Sequence, residues 1–163
     1  MAITFNADEI YAMAEQIERN GAGFYRKAAE GTPDEGAKEM LLGLAAMEDE
    51  HEQTFAQMKA DLARHDRAEA TFDPMGEGAL YLQAMVEGKI FDLTVKPADQ
   101  LSGAESLPDI LTTAIGLEKD SILFYITMKG MVPGDGGKAR IDDIIQQEVG
   151  HVVLLSKQLA ALG

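Results

Sequence analysis

Glu48 and His51 stand three residues apart in MEDEHEQTF (47–55), and Glu148 and His151 repeat the pair one hundred positions later in QQEVGHV (146–152). Residues i and i+3 of a helix lie about 60° apart around the axis and ~4.5 Å apart along it, so each pair aims a carboxylate and an imidazole at nearly one point. The chain has three histidines, and two of them carry this glutamate at −3. The third, His65, has Leu62 there and reads as a solvated side chain at a helix end. An isolated Glu-x-x-His says little, because most such pairs are salt-bridging partners on a helix surface. Here each pair is preceded by a further glutamate thirty residues upstream, Glu18 before Glu48 and Glu118 before Glu148. Carboxylate and imidazole donors suit iron or manganese better than thiolate-seeking ions, so the chemistry expected is that of a metal site.

The elements that must position these residues can be read from apolar periodicity. A first helix starts at Asn6, with Glu9 completing a capping box, and runs along Ile10, Ala14, Ile17, Gly21, Phe24 and Ala28 to a stop at Gly31. A second is expected to be capped at Thr32 with Pro33 in its first position, to carry Leu41, Leu44, Phe55, Met58 and Leu62 inward, and to end near His65. Residues 66–106 contain Pro74, Gly76, Gly78, Gly88, Pro97 and Gly103, and read as a long crossover with one short helix over 78–91. A third helix spans roughly Pro108 to Lys129 with Leu111, Ile115 and Ile122 inward. A loop at 131–137 follows, then a fourth helix with Ile141, Ile144, Leu155, Leu159 and Leu162. No stretch alternates with period two, so the fold class expected is all-α. Two hairpins (7–65 and 107–162) joined by a long crossover (66–106), in one domain over 1–163, match the ferritin-like way of closing a four-helix bundle, although periodicity by itself gives a helical bundle and does not fix the topology.

Glu48 and His51 fill the gap between Leu44 and Phe55 in phase with the stripe, and Glu148 and His151 fill the gap between Ile144 and Leu155. Glu18 falls between Ile17 and Gly21, and Glu118 between Ile115 and Ile122, so all six polar side chains should point inward at mid-helix. An unpaired carboxylate in an apolar core is costly, and four together repel one another. No lysine or arginine lies on these stripes at that level, so the balancing charge is expected to be a pair of metal ions. Two Glu-x-x-His motifs with one glutamate from each remaining helix make up the ligand set of di-iron bundles. Tyr25 and Tyr125 follow Glu18 and Glu118 by seven residues, two turns along the same face. They are candidates to donate hydrogen bonds to ligand glutamates. Glu87 on the crossover helix and Tyr11, one heptad before Glu18, are outlying candidates for the same site.

Composition narrows the functions further. The 163 residues carry 28 acids against 14 Lys+Arg, a net charge of −14, which leaves no basic footprint for nucleic acid or an anionic membrane. There is no cysteine, so disulfides, thiolate catalysis and iron–sulfur clusters are excluded within these residues. The N-terminal MAITFNADEIYAMAEQ has no basic n-region or long apolar h-region, and no apolar run approaches the ~20 residues that span a bilayer. A cytoplasmic protein is expected.

The pattern Glu-x6-Tyr followed by Glu-x-x-His, present twice (Glu18–Tyr25, Glu48–His51, Glu118–Tyr125, Glu148–His151), resembles the rubrerythrin-like branch of the ferritin-like di-iron carboxylate superfamily. The resemblance covers roughly 7–162. It implies a four-helix bundle with two iron ions on Glu18, Glu48, His51, Glu118, Glu148 and His151, manganese or zinc being substitutes. It also implies homodimers, in some cases with hairpins exchanged between chains. Rubrerythrins proper add a cysteine-ligated iron module, which this chain lacks, so the electrons must come from an external donor. They also place a second glutamate three residues after the third-helix ligand, where this chain has Ser121, with Gly21 as the first-helix counterpart. The site therefore resembles a six-ligand ferroxidase centre. The activity expected is oxidation of the iron pair by H2O2 or O2; the competing readings are iron handling or storage and a metal-stabilised interaction module.

Overall fold

The structure, a computed structural model, describes residues 4–63, 71–86, 93 and 95–163. The helices among them are α1 (Ala7–Glu30), α2 (Glu35–Ala60), α3 (Glu77–Val86), α4 (Leu107–Met131) and α5 (Asp135–Ala161), with one 3-10 turn at Pro97–Gln100. No described helix is long and apolar enough to cross a membrane. Glu87 and His65 lie outside the described residues.

Local chemistry sets the helix ends. Asn6 caps α1: its side chain accepts from the Glu9 N–H while the Glu9 carboxylate accepts from the Asn6 N–H, both at 2.9 Å. Thr32, the expected cap of α2, instead closes α1, its buried hydroxyl donating to the Ala28 carbonyl at 2.8 Å. The cap of α2 is Asp34, which accepts from the Ala37 N–H at 2.7 Å, so Pro33 stays in the loop. An aspartate one turn ahead of a free N–H is the stronger acceptor once the threonine hydroxyl is engaged. α2 ends at Ala60, short of the end expected near His65. α4 is capped by Ser106 and extends to Met131. The loop expected over 131–137 shrinks to 132–134, because Gly134 turns the chain at φ 86° and α5 begins at Asp135.

The packing gives the topology. One apolar cluster joins the N-terminal half of α1 (Ile10, Ala14), the C-terminal halves of α2 (Phe55, Met58) and α4 (Phe124, Met128), and the start of α5 (Ile141, Ile144). A second joins the opposite halves, with Phe24, Ala28, Leu41, Leu44, Leu111, Ala114 and Leu155. Helices α1 and α5 therefore run one way and α2 and α4 the other. α2 finishes at the end of the bundle opposite to the start of α4, and a 26-residue helix is about 39 Å long, so the connection must travel the whole bundle. That requirement explains the long crossover.

Several stripe assignments shift, and Leu62 and Leu159 are only half-buried. Ile115 and Ile122 are half-buried at the edge of the stripe, whose centre is Leu111, Ala114, Glu118, Ser121, Tyr125 and Met128. Leu162 is exposed, because α5 ends one residue before it.

Candidate metal centre

Between the two apolar clusters lies a polar layer. Glu18 comes from α1, Glu48 and His51 from α2, Glu118 from α4, and Glu148 and His151 from α5; none is more than 4% exposed. One chain supplies all six.

Each imidazole turns Nδ1 into the layer. His51 Nδ1 lies 2.8 Å from Glu148 Oε1, 3.5 Å from Glu18 Oε2 and 4.0 Å from Glu48 Oε2. His151 Nδ1 lies 3.0 Å from Glu148 Oε2, 3.2 Å from Glu48 Oε1 and 3.6 Å from Glu118 Oε1. The rings stack with centroids 5.8 Å apart. Two groups result, each with its ligand atoms within 4.8 Å of one another: Glu18, Glu48, His51 and Glu148, and Glu48, Glu118, Glu148 and His151. Glu48 and Glu148 belong to both, while Glu18 with His51 and Glu118 with His151 serve one each.

The donor set fits cations. Among the described residues no lysine or arginine is buried, while Glu18 Oε2, Glu48 Oε1, Glu148 Oε1 and His51 Nδ1 are buried without a hydrogen-bond partner. His51 Nδ1 and Glu148 Oε1 are close yet not aligned as donor and acceptor. Lone pairs gathered this way converge on common points, as ligands do.

Electrostatics point the same way. Burial, then the Glu48 and Glu148 charges, push Glu18 well above the usual carboxylate range. Burial likewise raises Glu118, to about 9. Burial alone would raise Glu148 too, but contacts with His151 and His51 outweigh it and hold Glu148 below the carboxylate range. Burial would lower both histidines. Glu118, Glu148 and Glu48 nevertheless raise His151 to about 12, and Glu148 raises His51. The raised values of Glu18, Glu118 and both histidines favour protons retained in the layer, positive charge that a bound cation would take over.

The two tyrosines cross between hairpins. Tyr25 on α1 donates to Glu118 Oε1 on α4, and Tyr125 on α4 donates to Glu18 Oε1 on α1. Burial, followed by the facing glutamate, pushes both phenols well above their ordinary value, so they remain donors. In Glu18 the bond pins Oε1 and leaves Oε2 free towards His51. Tyr125→Phe removes that donor from a buried carboxyl. We expect a loss of about 1–3 kcal/mol in the metal-free protein by denaturant unfolding; unchanged stability would deny the bond a structural role.

Tyr11 does not reach the layer. It packs in the first cluster with Phe55, ring centroids 6.4 Å apart, and its hydroxyl faces Gly137. Ser121 is buried beside the layer, but its hydroxyl donates back to the Glu118 carbonyl at 2.8 Å. Two residues that sequence reasoning passed over do matter. Gln147 Oε1 lies 3.0 Å from His51 Nε2. Asn20 Nδ2 donates to the Leu93 carbonyl at 3.3 Å, tying the crossover to α1. Both act across tertiary seams, where spacing along the chain carries no signal.

A cavity of about 50 Å3 opens between α1 and α4 against Glu48 and Glu118. Ile17, Gly21, Tyr25, Leu117 and Ser121 wall it, and Val95 and Pro97 of the crossover close it over. It has room for a few water-sized molecules.

No protein-family model matches the chain, and no curated protein matches it. Among solved structures, one assigned as a ferritin-like diiron-carboxylate protein from Thermotoga maritima is similar over 100% of both chains, with a TM-score of 0.73 and 21% identity. The fold is ferritin-like. The wild-type manganese catalase KatB from Anabaena is similar over 98% of this chain and 74% of its own, with a TM-score of 0.68 and 17% identity. In this ferritin-like bundle the glutamate–histidine layer sits at mid-height, where all four long helices meet.

Proposed function

We propose that this chain is a non-haem di-iron redox protein, rubrerythrin-like in its ligand pattern, that reduces hydrogen peroxide or oxidises Fe(II). The observation that carries this reading is the pair of four-residue groups sharing Glu48 and Glu148. Glu18 and His51 would complete one iron position, and Glu118 and His151 the other. Iron held there would supply two-electron redox chemistry, enough with two protons to take H2O2 to two waters.

The chain's own residues do the rest. The apolar clusters above and below exclude bulk water from the layer. Tyr25 and Tyr125 hold Glu118 and Glu18 in orientation. The small cavity beside Glu48 and Glu118 has room for a diatomic or peroxide-sized oxidant. With no cysteine in the chain, reducing equivalents come from a separate donor protein or small reductant. Manganese is the competing metal: the ligands are all oxygen and nitrogen, and one similar structure is a manganese catalase.

The test is anaerobic loading with Fe(II), counting metals per chain, then mixing with H2O2 or O2 while following absorbance and oxidation of a supplied reductant. We expect two irons per chain and oxidation much faster by peroxide than by O2. Uptake far beyond two would indicate storage. Metal loss that only lowers the melting temperature, with peroxide never consumed, would reduce the site to a structural one.

A further inference from the structure

We propose that the two metal positions are inequivalent, that the one completed by His51 fills first, and that Gln147 is the positioning residue responsible. This rests on the two-metal reading above.

The two histidines present the same nitrogen to the layer and differ behind it. His51 Nε2 lies 3.0 Å from Gln147 Oε1, whereas His151 Nε2 is buried with no hydrogen-bond partner. The internal repeat explains the difference: the position one hundred residues before Gln147 is Met47, which has no oxygen to offer. The surroundings diverge in the same sense. Beside His51 the seam between α2 and α5 is lined by Glu50, Thr54, Arg140, Asp143 and Gln147 around an opening of about 290 Å3. The repeat-related positions on the His151 side are Gly150, Leu154, Met40, Gly43 and Met47.

The chemistry follows from the tautomer. An imidazole that binds metal through Nδ1 must carry its proton on Nε2. At His51 that N–H donates to the Gln147 amide oxygen, which fixes the tautomer and ring orientation and makes Nδ1 a better donor. Loss of such a partner typically weakens metal affinity about 10–100-fold. At His151 the same N–H stays buried and unpaired, a cost carried by the metal-bound form. Sharing Glu48 and Glu148 would weaken the second ion even in a symmetric site, so a stepwise isotherm alone decides nothing. The order of filling does.

Zinc(II) is a diamagnetic probe, and three histidines give a simple imidazole NMR spectrum, assigned by single substitution. At one zinc per chain we expect the His51 ring signals to reach their bound positions while those of His151 stay free. Gln147→Met should make the two fill together and weaken the first ion about 10-fold or more. Gln147→Glu, which keeps an acceptor, should preserve the preference, and Met47→Gln should strengthen the second ion. Equal filling in the native protein, or a preference that survives Gln147→Met, overturns the proposal while leaving the two-metal reading intact. A native chain that takes up fewer than two ions overturns both. Unchanged helix content and melting temperature of metal-free Gln147→Met separate the effect from misfolding.

Discussion

Glu148→Ala will empty both metal positions, whereas Glu18→Ala and Glu118→Ala will each empty one. Glu148 belongs to both four-residue groups, with one oxygen 2.8 Å from the His51 Nδ1 and the other 3.0 Å from the His151 Nδ1. Removing it deletes a donor from each position and also the carboxylate that His151 and His51 hold below the usual carboxylate range. Glu18 and Glu118 enter one group apiece, so their loss leaves the other group with all four members. Metals counted per chain after gel filtration should read near zero for Glu148→Ala and near one for the other two. Equal losses from all three variants would mean that the groups do not act as two overlapping positions. The difference should also appear in stability. An ion present at a hundred times its dissociation constant adds about 2.7 kcal/mol, and Glu148→Ala should show no metal-dependent gain.

The stability of the metal-free chain should fall as pH rises from about 5 to 9. The Glu118 carboxyl titrates from 4.5 in an unconstrained chain to about 9 when folded, and the His151 imidazole from 6.5 to about 12. Across that window the folded chain keeps protons that the unfolded chain has released. Their contribution is complete below the unfolded values and drains away as pH climbs towards the folded ones. Glu148 works in the opposite sense, but its depressed value puts its loss of stability at lower pH, outside the window. Metal charge replaces these protons, so loading should release protons, and the gain in melting temperature on loading should grow with pH. Melting curves at three pH values, with and without metal, and calorimetry in buffers of differing ionisation enthalpy check both statements. A metal-free melting temperature that rises from pH 5 to 9 would refute the assignment of the layer as the controlling group.

How much of this was legible in the sequence depended on how local each signal was. The cap at Asn6 and Glu9 was readable because both partners lie within one turn. The six candidate ligands were readable because the repeat states them twice, in phase with the apolar stripe. Thr32 and Asp34 are both good caps, and only the engagement of Thr32 with the Ala28 carbonyl decides between them. Ile115 and Ile122 are apolar and one position off the stripe, an error that periodicity cannot resolve when Ser121 occupies the better place. The reach of each tyrosine to the opposite hairpin was out of view, since spacing places Tyr25 near Glu18 and says nothing about which helix lies across from it. Gln147 was hidden for the same reason.

The crossover bears on the order of assembly. Each hairpin gathers its contacts from neighbours in sequence, so its collapse is fast, whereas docking one hairpin on the other must first close the long connection. Every four-residue group draws on both hairpins, so no half-formed chain carries a complete set. A bound ion would therefore meet its full set of ligands only after the hairpins have docked. It is expected to slow unfolding, lengthening the lifetime of the folded protein without hastening its formation.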